Sequence, residues 1–149
     1  MKIKIQRKKK NSLYTEGILH LNEETQLQTV ECTAMMLPAG LYLLRLVSIN
    51  AHCRELVILD CDSKQPTGQR ISPTAISHIG CRREQAIAIG HELIPGALYR
   101  SLDDYERIVK CLEKRQQRGK PILLVIDDSN CHASNAISHW KRQIENGER

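Results

Sequence analysis

The sequence predicts an α+β, mainly β fold: an antiparallel or mixed sheet with one long helix at about 101–118 and a final strand at about 121–127. Three observations carry this expectation. Short apolar runs separated by turn residues fill the first half of the chain. One long segment sustains helical spacing, and a brief buried strand follows it directly.

The elements follow in order. Residues 1–6 alternate Ile3 and Ile5 with lysines, the period-two pattern of a half-buried strand. Asn11-Ser12 supplies a turn, and residues 14–21 resume with Ile18, Leu19 and Leu21. Pro38-Ala39-Gly40 signals a turn into residues 41–49, an apolar run carrying one charge at Arg45. Residues 55–61 form another short run, whose length and β-branched content favour a strand. Residues 62–73 are polar and rich in turn formers, and read as a surface loop. Residues 87–89 give one brief strand that ends at Gly90.

The clearest local signal comes next. Ser101 is placed to cap a helix, with Asp103 and Asp104 favouring its N-terminal dipole. Leu102, Tyr105, Ile108, Val109 and Leu112 recur at helical spacing, and Gly119 and Pro121 mark the stop. Residues 122–126 form a buried strand bounded by Asp127-Asp128. In the tail, Ala133, Ile137 and Trp140 are spaced for a short helix. One domain over residues 1–128 with a tail over 129–149 is the expected organisation.

Composition narrows the function classes. An apolar share of 41% among 149 residues supports one folded core rather than disorder. Aromatic residues make up only 3%, with no Phe, so few rings are available for bases to stack on. The net charge of +5 is concentrated in Lys2, Lys4, Arg7 and Lys8 to Lys10, and again in Lys110, Lys114, Arg115, Arg118 and Lys120. Such clusters can attract phosphate backbones, and they are equally what solvated strand edges and helix faces look like. A nucleic-acid-binding module is therefore a third functional reading. Met1 is followed by charge rather than an apolar stretch, and no run approaches the length of a membrane span, so a cytoplasmic protein is expected.

Six cysteines are scattered singly, without the paired spacing of structural zinc sites, and read as free thiols. His52-Cys53 and Cys131-His132 together could supply four metal ligands, but adjacent residues suit one tetrahedral ion poorly. Neither a metal nor a cofactor is expected. The candidate chemistry lies where His78, Cys81 and His91 meet Gly80 and Gly90. A cysteine activated by histidine can perform acyl transfer, with Cys81 as nucleophile and His78 or His91 as base. Nothing in the spacing forces them together.

Several segments resemble a family of small bacterial and phage proteins known as a domain of unknown function. They are Lys2-Ile3-Lys4-Ile5-Gln6-Arg7, Tyr14-Thr15-Glu16-Gly17-Ile18-Leu19, Gln28-Thr29-Val30-Glu31, Leu37-Pro38-Ala39-Gly40-Leu41-Tyr42 and Pro95-Gly96-Ala97-Leu98, followed by the helix and final strand. The likeness spans roughly residues 1–127. Members of that family carry a His-x-Gly element and then Gly-Cys-Ile-x-x-Gly, a pairing that resembles the active-site motif of YkuD-type L,D-transpeptidases, cysteine enzymes of cell-wall cross-linking. Here His78 and Gly80 match the first element, while Gln85-Ala86 stands where Gly-Cys would be and Gly90 closes the second. The resemblance implies a transpeptidase-like, β-rich frame whose nucleophile position is emptied at Ala86, because a methyl group cannot attack a carbonyl. It thus implies a degenerate relative that acts by binding a peptidoglycan-like peptide, a glycan or a protein partner. The cleft for it would lie between the turn at 38–40 and residues 78–90.

Overall fold

The computed structural model describes residues 1–51, 53–73, 86–94, 97–99 and 101–133, without the side chains of 53, 92–94, 97–99 and 101. His78, Gly80, Cys81 and Gln85, and the expected tail helix beyond Ala133, lie outside the described residues.

The strands are β1 (Lys2–Lys10), β2 (Tyr14–His20), β3 (Gln26–Cys32), β4 (Gly40–Asn50), β5 (Cys53–Asp60), β6 (Pro66–Ser72), β7 (Ala86–Ile94), β8 (Ala97–Tyr99), β9 (Ile122–Asp127) and β10 (His132–Ala133). The single helix α1 spans Ser101–Gln117. Strand order β1-β2-β3-β7-β6-β5-β4-β9 returns to β1, so eight strands close into a mixed barrel. Closure leaves no edge in that ring, which removes the usual liability of an open sheet. The pairs β1–β9 and β6–β7 are parallel, and the other neighbours in the ring are antiparallel.

Alternation decides what fills the barrel. Ile3 and Ile5 of β1, Leu44 and Leu46 of β4, and Leu124 and Ile126 of β9 are all buried in one cluster. Their even spacing along each strand places them on one face, directed inward. At one end of the barrel α1 inserts Tyr105, Ile108 and Leu112 into the same cluster. Two side chains lock the helix there. The Tyr105 hydroxyl donates to the Arg54 carbonyl (2.9 Å) and accepts from Leu56 N–H (3.1 Å). Gln116 bonds both the N–H and the carbonyl of Leu46. The helix stops as its sequence anticipates. Gly119 takes φ 71°, while Lys120 N–H reaches the Arg115 carbonyl and Gly119 N–H reaches that of Gln116.

Several elements depart from the sequence reading. Residues 66–72, expected in a loop, form β6 between β5 and β7. Pro66 is tolerated as the first residue of the strand, and Gly68 adopts φ 89° beside the irregular register at Val57/Leu59. Strand β7 runs from Ala86 to Ile94, well beyond the brief segment expected, because β3 and β6 flank its first half and β8 pairs with its second. His132 and Ala133, expected in the tail, pair as β10 with Lys9 and Lys10 of β1.

At Gly17 the absence of a side chain is a steric necessity. A Cβ there would lie 2.7 Å from the Gln6 carbonyl oxygen and 2.9 Å from Thr29 Oγ1, too close for any real side chain.

Candidate binding site at the polar mouth

The end of the barrel opposite α1 is polar. On β1, Arg7 continues the inward phase of Ile3 and Ile5, and on β3 Glu31 continues that of Leu27 and Thr29. The two side chains meet inside, with Arg7 Nε donating to Glu31 Oε2 (3.1 Å) and Nη2 to Oε1 (2.9 Å). They are 1% and 2% exposed. Burial pushes the Glu31 carboxyl above its ordinary range, and the Arg7 guanidinium pulls it back.

Residues between β3 and β4 cross this end. A single 3-10 turn, Thr33–Met35, leads into Met36 and Pro38. Thr33 Oγ1 donates to the Asn11 carbonyl (2.8 Å) and lies 2.9 Å from Thr15 Oγ1. The Met35 carbonyl accepts from Gln69 Nε2, and the Tyr42 hydroxyl donates to the Pro38 carbonyl (2.6 Å). Beside this strap a cavity of about 540 Å³ remains open. Arg7, Thr33 and Met36 line it from within, Lys10, Asn11 and Ser12 form one bank, and Asp128 and Cys131 to Ala133 form the other. The pairing of β10 with β1 fixes the second bank against the first. Burial pushes the Cys131 thiol up, opposed by Arg7, so it stays protonated and is a poor nucleophile at neutral pH.

A second hollow, of about 720 Å³, lies at the helix end between α1, the β4–β5 turn and the end of β6. Its rim exposes Ile49 and Leu102. Much of its charge is already spent in the pairs Arg54–Glu113 (2.7 Å) and Arg70–Glu55 (3.0 Å). The mouth, by contrast, presents Lys10 and Asp128 without an ion pair among the described residues.

The residues singled out in the sequence are only partly brought together. Ala86 opens β7, is 1% exposed and pairs with Arg70 of β6, so its side chain is closed off from solvent. Gly90, within β7, pairs with Gln28 of β3. His91 is the one member of the proposed Cys–His set that is described. Its Nε2 lies 3.5 Å from Oδ2 of Asp104 on α1, a carboxylate only 4% exposed. The turn at 38–40 stands at the mouth, where Gly40 pairs with Ile126. Cys32, Cys61, Cys111 and Cys131 are free thiols. Among the described residues no three of His, Cys, Asp and Glu gather as metal ligands would. No described helix is long and apolar enough to cross a membrane. Tyr14, Tyr42 and Tyr105 are buried and offer no stacking surface to a nucleic acid.

No family model, curated protein or solved structure matches this chain. The site must be judged by its own chemistry.

Sequence reasoning missed the mouth, although a signal was present. Arg7 shares the phase of Ile3 and Ile5, which marks it as inward-facing rather than part of a solvated basic cluster. Asn11 was legible only as a turn residue, because its place in the cavity depends on Asp128 to Ala133 arriving from the far end of the chain.

Proposed function

We propose that this protein works by reversible binding of a small polar ligand at the mouth of its barrel, in a frame that has given up covalent chemistry. The observation that carries the reading is the open cavity above the fixed Arg7–Glu31 pair, bounded by polar groups from both ends of the sequence. Its volume lies within the range of small-molecule sites. The buried methyl of Ala86 and the protonated thiol of Cys131 both favour binding over nucleophilic attack. A polar terminus of a peptide or a single sugar unit is of the right size and character. Titration of isotopically labelled protein with small polar compounds should shift the backbone amides of Asn11, Ser12, Asp128 and His132 together. Shifts scattered over the outer barrel, or none up to the solubility of each compound, would remove this reading.

The His91–Asp104 contact favours a second reading, a cysteine enzyme with Cys81 as nucleophile, since a carboxylate close to an imidazole can support it as a base. Iodoacetamide should then label Cys81 faster than the other thiols, and Asp104→Asn should slow that labelling. Uniformly slow labelling of all six thiols excludes it.

A further inference from the structure

We infer that the hollow at the helix end is a second binding site, and that it takes an uncharged small molecule with an aliphatic or aromatic body. The inference does not depend on the mouth, which lies at the opposite end of the barrel. Separate parts of the chain build the hollow. Ile71 of β6 and Tyr105 of α1, 1% and 6% exposed, form its floor. Ile49 and Ala51, from the end of β4 and the turn after it, form one bank, and Leu102 and Val109 of α1 form the other. Ile49 and Leu102 are each 58% exposed, so apolar surface stands in water on both banks. Single exposed leucines and isoleucines are ordinary, whereas two that line one concavity mark a place for a ligand. The volume of about 720 Å³ falls in the range of small-molecule sites.

The charges around the hollow decide the character of its ligand. Arg54, Arg70 and Lys110 stand against Glu55, Glu106 and Glu113, so the described lining carries no net charge. These groups are also committed to one another. Arg54 pairs with Glu113 (2.7 Å) and Arg70 with Glu55 (3.0 Å), while Glu106 and Lys110 stand four residues apart on α1, a spacing at which opposite charges attract. An ionic ligand has to break such a pair or give up its own hydration without a matching partner, and a neutral ligand does neither. The Tyr105 hydroxyl is engaged as well, donating to the Arg54 carbonyl and accepting from Leu56 N–H, so the residue meets a ligand through its apolar ring. What the lining still offers is apolar area, and covering it favours association in proportion to the surface removed from water.

Cyclohexanol, cyclohexanecarboxylate and cyclohexylammonium share one body and differ in charge, and each can be titrated into isotopically labelled protein. Cyclohexanol should shift the backbone amides of Ile49, Ala51, Ile71 and Val109 together and leave those of Asn11 and Asp128 in place. Both ions should bind more weakly than the alcohol. Leu102→Ala and Ile49→Ala should each weaken cyclohexanol binding about fivefold, since each strips apolar surface from one bank. The melting temperature should hold in both variants, because both side chains are exposed. Leu41→Ala removes an exposed leucine that does not line the hollow, and should leave binding unchanged. Tighter binding of either ion than of the alcohol overturns the neutral character of the ligand. Cyclohexanol binding that Leu102→Ala and Ile49→Ala both leave intact overturns the location. No shift at the four amides with any of the three compounds, up to the solubility of each, overturns the site outright and leaves the reading of the mouth standing.

Discussion

Arg7→Met should destabilise the protein by about 3–5 kcal/mol near neutral pH, because it leaves a carboxylate buried without its counter-charge. The expectation follows from position. Arg7 and Glu31 are almost wholly enclosed, and the guanidinium meets both carboxylate oxygens. Burial already raises Glu31 above its reference value of 4.5, and Arg7 is what opposes the rise. Removing Arg7 leaves only the raising influence. A carboxyl whose folded-state pKa is raised stabilises the fold below its unfolded pKa and loses that contribution as pH climbs through the folded value. The penalty of Arg7→Met should therefore grow as pH rises above the reference value of 4.5, measured by urea unfolding at each pH. The double replacement Arg7→Met with Glu31→Leu should recover most of the loss, since apolar pairs of similar volume can replace a buried ion pair. A penalty that is flat with pH, or a double variant no better than the single one, would show that the pair is not what closes this end.

Leu112→Ala should cost about 2–5 kcal/mol through the cavity it leaves. Leu112 is fully buried where α1 meets the barrel, in the cluster that also holds Ile108 and Ile122. A helix of 17 residues has little stability of its own in water, so its place depends on this contact. Leu102 offers the control. It lies on the same helix but is 58% exposed, and its replacement by Ala should change stability by no more than about 0.5 kcal/mol. Equal effects from the two would mean that the helix is an ornament on the barrel rather than its plug.

The contrast between these two sites mirrors how much of the molecule could be read in advance. Leu112 belongs to a helix whose signals are all local: an acidic first turn, apolar residues at helical spacing, a glycine and a proline at the end. The start and stop of α1 were accordingly legible. Strand β6 was not, because Pro66, Gly68 and its polar residues resemble a loop until β5 and β7 lie on either side of it. The fold class was readable from alternation, whereas closure into a barrel was not. Closure depends on pairing Lys2 with Leu123 and its neighbours, and no local pattern encodes so distant a register.

The candidate site divides in the same way. That Ala86 cannot act as a nucleophile follows from its identity alone. That His91 faces Asp104, and that Asn11 and Lys10 share a cavity wall with Asp128, depends on side chains meeting across the folded chain.

By itself, then, the sequence determined a mainly β domain, one well-delimited helix and the absence of a thiol at residue 86. These are properties of residue type and short-range spacing, which backbone geometry and side-chain chemistry read directly. Tertiary structure alone decided that the strands form a ring, that Arg7 is buried rather than solvated and that the polar groups of both ends share one mouth. Those outcomes depend on which distant surfaces exclude water from each other, and that is settled only when the whole chain closes.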